Sequence, residues 1–311
     1  MMAAYLQRLS ARLAVGAARA PSASRAAVAD TLHRAQNDDG GFSGREGGSD
    51  LYYTSFALRT AAIVGGLDES LASRAGQYLR THLASQAALI DLLSLLYSAA
   101  ILRQLAPVDP LAAAPPEWPT AVAAALERFR RPDGGYARSE EGQASSTYYT
   151  FLVVLALELI ERPVPDPEGI IRLVAARRRD DGGYVEVSPM RTSGTNPTAA
   201  AIGLLTIFDR LDASIRRETT AFLARMQTPE GGLAANTRIG WADLLSTFTG
   251  LLTLDDLGGL DQVDIAAIDR YAESLALPDG CYRSSAPDPG SDVEYTFYGW
   301  GTRSLVAASS G

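Results

Sequence analysis

Arg179-Asp180-Asp181-Gly182-Gly183-Tyr184 decides the fold, because the chain carries five versions of it. The others are Asn37-Asp38-Asp39-Gly40-Gly41-Phe42, Arg131-Pro132-Asp133-Gly134-Gly135-Tyr136, Thr228-Pro229-Glu230-Gly231-Gly232-Leu233 and Leu277-Pro278-Asp279-Gly280-Cys281-Tyr282. An acid followed by paired glycines stops a helix and turns the chain, since glycine takes positive φ without steric cost. The aromatic that follows is expected to pack between adjacent hairpins.

Each turn leads through a short loop into an apolar helix rich in small residues, over 50–64, 146–160, 195–208, 243–254 and 292–306. A sixth copy lacks the turn: Ile90-Asp91-Leu92-Leu93-Ser94-Leu95 echoes Ala242-Asp243-Leu244-Leu245-Ser246-Thr247. Starts near 50, 91, 146, 195, 243 and 292 leave room for two helices and two connections per unit. The more polar partners fall at about 24–36, 70–83, 119–130, 167–178, 213–227 and 264–275. A helix apolar all round is buried, and one with a charged face lies outside. The expectation is all-α: an α6–α6 toroid, a closed ring of six helical hairpins. It forms one domain over 1–311, with an N-terminal helix in 1–22 and repeats over about 24–308.

The formal net charge is −8 and all 28 basic residues are Arg, as in a GC-rich, bacterial-type genome. That balance argues against nucleic acid or an anionic membrane as partner. Cys281 is the only cysteine, so there is neither a disulfide framework nor a thiolate cluster. His33 and His82 fall in expected outer helices. No apolar run reaches the ~18–20 residues of a membrane span. Residues 1–20 carry Arg8, Arg12 and Arg19, but Leu6, Leu9, Leu13 and Val15 share a helical face. This reads as a first amphipathic helix of a cytoplasmic protein.

The Gly-Gly-aromatic turn ahead of an apolar inner helix resembles the prenyltransferase β-subunit and squalene-terpene cyclase superfamily. The resemblance covers about 24–308 and implies chemistry on an isoprenoid held in an aromatic-lined barrel. In the protein prenyltransferases it implies zinc held by an Asp, a Cys two residues on and a His from the next inner helix. The Asp matches Asp243, but Leu245 and Tyr295 stand at the other two positions. Zinc needs about four ligands, so zinc-dependent cysteine prenylation is not expected. The diphosphate-binding His and Arg of that family align near Thr195 and Ser146. Class II terpene cyclases protonate an alkene with Asp-x-Asp-Asp-Thr. Asp292-Val293-Glu294-Tyr295-Thr296 keeps its first Asp and its Thr, with Glu at the proton-donor position. Those cyclases build their cavity between two helical domains, whereas a single ring resembles a prenyltransferase β-subunit.

Three constellations follow. Asp50, Asp91, Asp243 and Asp292 superpose at inner-helix starts, with Ser146 and Thr195 in the remaining copies. They read as N-caps, or as a Mg2+ or cation site at the mouth. Glu294 lies two residues farther in and is the better acid, with Tyr295 beside it. Arg45, Arg138, Arg191, Arg238 and Arg283 come from the five turn loops, and Arg191, Arg238 and Arg283 are the candidates to hold a diphosphate. Tyr52, Tyr53, Phe56, Tyr148, Tyr149, Phe151, Trp241, Phe248, Tyr295, Phe297, Tyr298 and Trp300 recur in the first turns of the inner helices. They are core fillers or a wall for carbocations. The expected function is prenyl transfer or cyclisation of an isoprenoid diphosphate or polyprene. The alternatives are a non-catalytic ring that binds a lipid chain or partner protein, and a class II-like cyclase using Glu294 and Asp292. A further subunit, a helical one as in the protein prenyltransferases, or an oligomer is compatible with either.

Overall fold

A computed structural model describes residues 4–83 and 88–309. The repeated turn is a small hydrogen-bonded device. In the second copy Asp133 accepts the Gly135 N–H at 3.2 Å and the Ser145 hydroxyl at 2.5 Å. Tyr136, 1% exposed, drops into the core behind the turn. Its N–H donates to Thr150 Oγ1 at 2.9 Å, and that hydroxyl donates to the Ser146 carbonyl at 2.6 Å. The other four copies repeat the tie, from Phe42 to Thr54, Tyr184 to Thr198, Leu233 to Thr247 and Tyr282 to Thr296, at 2.9–3.2 Å. Each turn is thereby pinned to the first turn of the helix that follows. Thr150→Val is expected to strand a buried N–H and lower stability by about 1–3 kcal/mol, read from urea denaturation.

The helices are α1 (Tyr5–Ala17), α2 (Ser22–Ala35), α3 (Leu51–Val64), α4 (Glu69–Thr81), α5 (Leu89–Leu105), α6 (Trp118–Glu127) and α7 (Thr147–Leu159). Then come α8 (Pro167–Arg177), α9 (Thr195–Ile207), α10 (Ala213–Ala224), α11 (Leu244–Leu257), α12 (Ile265–Ser274) and α13 (Val293–Ser309). The odd-numbered helices from α3 to α13 pack side by side in chain order, and α13 returns to α3. Helices α2 to α12, even-numbered, form the outer layer. This is the all-α α6–α6 ring. It closes through the fifth turn: a Cβ on Gly280 would lie 2.8 Å from the Cβ of Val28 on α2. Neighbouring repeats are also stitched at the mouth. The first N–H of α7, α9 and α11 donates to the next loop, at Glu186, Ala235 and Ser284 carbonyls, 2.8–3.0 Å away.

At two of the expected mouth positions the residue is not the cap. Ala88 caps α5, so Asp91 lies within the first turn and reaches back to the Ala88 N–H. No Gly-Gly turn sets the start there. Gly194 caps α9, and Thr195 is its first residue, donating its hydroxyl to the Ala234 carbonyl at 2.6 Å.

Helix α1 closes the ring's other end. The inner helices run parallel, away from the mouth, and α1 lies across their C-terminal ends against α13 and α3. Its Tyr5 N–H donates to Glu158 at 3.1 Å and its Tyr5 hydroxyl to Asp256 at 3.0 Å. Arg12 bridges Asp255 and Asp256 at 3.1 and 2.9 Å. Ser10 and Tyr97 share a short hydrogen bond. No described helix is long and apolar enough to cross a membrane.

Candidate functional site

The ring encloses a cavity of about 480 Å³ between the mouth and α1. Helical periodicity builds its wall in layers, because residues three or four apart share a face. The second residue of every inner helix lines the top layer: Tyr52, Ile90, Tyr148, Asn196, Leu245 and Glu294. One turn deeper stand Phe56, Ser94, Leu152, Ala200, Phe248, Phe297 and Tyr298. Deeper again are Arg59, Tyr97, Leu155 and Leu252, and Tyr5, Leu6 and Leu9 of α1 form the floor.

Glu294 is the acid of this wall. The Tyr52 hydroxyl donates to its Oε1 at 2.6 Å, and Tyr298 is a second hydrogen-bond partner. Burial raises the Glu294 carboxyl above its ordinary value, against the lowering effect of those hydrogen bonds. Below it, four rings form a continuous cluster. Phe56 lies 5.6 Å from Phe297 and 5.4 Å from Tyr298, and Phe248 lies 5.4 and 5.5 Å from the same two. Tyr148 is 37% exposed, but the surface it exposes lies within the enclosing wall, which pushes its hydroxyl up to about 12. Glu186 also lines the cavity, accepting from Ser146 Oγ through a short bond and from the Tyr148 N–H at 3.3 Å.

The acids expected at the mouth are there, chiefly as helix caps. Asp50 accepts the Tyr53 N–H at 2.7 Å. Asp243 accepts both the N–H and the hydroxyl of Ser246, at 2.7 and 2.8 Å. Burial raises Asp50, Asp91 and Asp243. Asp292 accepts the Tyr295 N–H at 2.9 Å and the Arg45 Nε at 2.9 Å. The same Arg45 grips Asp288 at 2.6 Å, holding that carboxyl well below the usual range, and lies 5.9 Å over the Tyr295 ring. This cluster seals the seam between the first and last repeats. None of these capping acids lines the cavity.

The arginines chosen from sequence are not part of the cavity wall. Arg191 and Arg238 are exposed, Arg283 is half-buried, and none lines the cavity. Trp241 is 58% exposed. Tyr53, Tyr149 and Tyr295 are half-buried at the mouth outside the cavity wall. Trp300 is buried but faces away: its indole N–H donates to the Gly280 carbonyl at 3.0 Å, beside a second hollow of about 390 Å³ outside the inner ring. Of the predicted residues, the structure gathers Tyr52, Phe56, Tyr148, Phe151, Phe248, Glu294, Phe297 and Tyr298 into one cavity.

The principal residue that sequence reading missed is Arg59. Its guanidinium lies 4.6 Å from the Phe56 ring centroid and 4.5 Å from that of Tyr97. A signal existed, since Arg59 continues the Tyr52–Phe56 stripe on α3. Glu186 and Asn196 were also missed; the first lies on a loop, where periodicity gives no guide. Among the described residues no group of three or more His, Cys, Asp or Glu is arranged to hold a metal ion.

A family model described as the prenyltransferase alpha-alpha toroid domain matches residues 2–88, 78–240 and 237–310. Among solved structures, Candida albicans protein geranylgeranyltransferase-I complexed with GGPP is similar at 15% identity over 90% of each chain, with a TM-score of 0.70. The type II terpene cyclase MstE from Scytonema is similar at 15% identity over 93% of this chain and 98% of that one, with a TM-score of 0.64. A variant of that cyclase in complex with its substrate, geranylgeranyl dihydroxybenzoate, gives 15% identity, 98% and 99% coverage and a TM-score of 0.64. At such identity the likeness establishes the fold. No curated protein sequence matches the chain.

Proposed function

The chain belongs to the prenyltransferase alpha-alpha toroid family, and on that premise we propose that it is an enzyme that holds an isoprenoid chain in the ring cavity and cyclises it by protonation from Glu294. The observation that carries this reading is the position of Glu294: a half-buried carboxyl, raised by desolvation, above a cluster of four aromatic rings. The similar fold of the type II terpene cyclase supports it. So does Leu245, which presents an alkyl side chain to the cavity where the zinc enzymes of the superfamily carry a Cys ligand.

In the proposed reaction the Glu294 proton adds to the terminal alkene and forms a tertiary carbocation. The next double bond of the folded chain attacks it, closing a ring and moving the charge along. Phe56, Phe248, Phe297 and Tyr298 present π-faces that attract that charge, worth about 0.5–2 kcal/mol per well-placed ring. Their apolar surface also keeps water from quenching the cation. Loss of a proton to water that enters the cavity ends the sequence. Solvent then reprotonates Glu294 through the Tyr52 hydroxyl, which stabilises the carboxylate meanwhile. The proposed reaction needs no metal, and the product is an isomer of the substrate.

A second reading keeps the cavity and drops the chemistry. Two of the three zinc ligands of the protein prenyltransferases are replaced here, at Leu245 and Tyr295, which also suits a non-catalytic ring that carries a lipid chain. Product analysis by mass spectrometry with a panel of isoprenoids separates the two: cyclised product supports the enzyme, and tight binding of unchanged chain supports the carrier. Floor residues on α1 are expected to set chain length in either case. Leu9→Ala should deepen the cavity and move the preference between chains differing by one isoprene unit by about tenfold towards the longer, measured as a ratio of kcat/KM or Kd.

A further inference from the structure

Arg59 is a cation inside an otherwise apolar and acidic cavity. It sits on the ninth residue of α3, about 10 Å below the Tyr52–Glu294 layer by helical rise. Its stem and guanidinium are packed against Phe56 and Tyr97, with Phe297 5.9 Å away. No described carboxylate lies within ion-pair distance of it, its charge acts on Glu294 only from farther off, and its Nε is buried without a hydrogen-bond partner. A guanidinium held there works against a neighbouring carbocation. It also leaves a planar fork of donors unused beside the cavity.

Both features are accounted for if the ligand brings an anion to it. We infer that Arg59 is the head-group subsite of the cavity and that the ligand is an isoprenoid bearing a single carboxylate, bound head-down. This rests on the isoprenoid-binding reading above and adds orientation and chemical class to it. The charge balance selects the class. One guanidinium matches one carboxylate through two parallel hydrogen bonds. A diphosphate carries more negative charge than Arg59 offsets, and the other charged groups of the wall, Glu186 and Glu294, are both acids. Ser94, one turn above Tyr97 on α5, supplies a hydroxyl on the same wall. With the head at Arg59, the far end of the chain lies at the Glu294 layer, where the proton is. A chain of several isoprene units is longer than that interval, so it folds between its two anchors. The anion also neutralises Arg59 and confines the carbocation to the aromatic layer above.

The test uses three probes that share one chain: geranylgeranoic acid, geranylgeraniol and geranylgeranyl diphosphate, each titrated into the full-length protein by calorimetry. The wild type is expected to bind the acid about tenfold or more tighter than the alcohol, and tighter than the diphosphate. Arg59→Met keeps a stem of similar length beside Phe56 and Tyr97 and should remove that preference, weakening the acid far more than the alcohol. Arg59→Lys, which keeps the charge and loses the fork, should fall between. Equal binding of acid and alcohol, tightest binding of the diphosphate, or an equal loss for acid and alcohol in Arg59→Met overturns the assignment and leaves the isoprenoid cavity standing. Failure of the wild type to bind any of the three removes the isoprenoid reading itself, and the head-group assignment with it. The head-group comparison in wild type decides the matter even if an Arg59 variant does not fold.

Discussion

Glu294→Gln is expected to lower the rate of cyclisation by about a hundredfold to ten-thousandfold, the range for a general acid, while changing isoprenoid affinity by no more than roughly twofold. Gln keeps the size of the side chain and still accepts the Tyr52 hydroxyl, so the wall is preserved and the proton is not. The same substitution has a thermodynamic signature. Burial raises the Glu294 carboxyl in the folded chain, so the folded state holds that proton more tightly than the unfolded state. Its contribution to stability is therefore full below the ordinary carboxylate range and is lost as pH rises through the raised folded value. Gln carries no such loss. The variant should melt higher than wild type at neutral pH, and the difference should shrink as pH falls into the carboxylate range. A gain in stability coupled to a loss of turnover is the mark of an acid kept for chemistry. Thermal melts at two pH values, with rates measured beside them, check both halves.

Gly134→Ala is expected to cost about 2–5 kcal/mol, a large share of the ~5–15 kcal/mol that holds a domain together. Two effects add. The residue has φ +92°, where any side chain is strained, and a new Cβ would stand 2.7 Å from the carbonyl carbon and oxygen of Gly169. That neighbour is backbone in α8, so it cannot swing aside as a side chain would. Gly47 is the control: its φ is +88°, but nothing lies within 4 Å of the added Cβ. Gly47→Ala should cost only the backbone strain, about 1 kcal/mol. Urea denaturation of both variants separates contact from conformation.

How far these features were legible in the sequence depends on the scale at which each is encoded. The turn is local, and its acid, glycines and aromatic recur at fixed spacing, so the ring could be read directly. The helix starts followed wherever that turn set the register, Thr195 included. The start slipped at Asp91, which has no Gly-Gly turn before it, and at Thr195 only the cap differed, being Gly194. The threonine that ties each turn to its helix was equally regular, but Thr54, Thr150, Thr198, Thr247 and Thr296 read as ordinary small residues of an apolar helix. The site was harder, because it is made by convergence of six helices. Glu294 stood out through its place in a degenerate cyclase-like motif. Arg191 and Arg238 were chosen for their loops, yet a loop residue at the mouth need not reach the wall, and these are exposed and do not line the cavity. Arg59 lies mid-helix, where an arginine ordinarily marks a solvent face; only its phase with Tyr52 and Phe56 gave it away. The place of α1 beneath the barrel depends on Tyr5, Arg12 and their partners Glu158, Asp255 and Asp256, residues more than a hundred positions apart.

The central claim, that a proton from Glu294 starts a cyclisation within the ring, is tested most directly by turnover in D2O. The protein is incubated with geranylgeranoic acid and the product is analysed by mass spectrometry and NMR. The account predicts a cyclic isomer that keeps its carboxylate and carries one carbon-bound deuterium at the methyl end of the chain, absent from the Glu294→Gln reaction. Recovery of unchanged acid after tight binding, or a cyclic product without that deuterium, would contradict it.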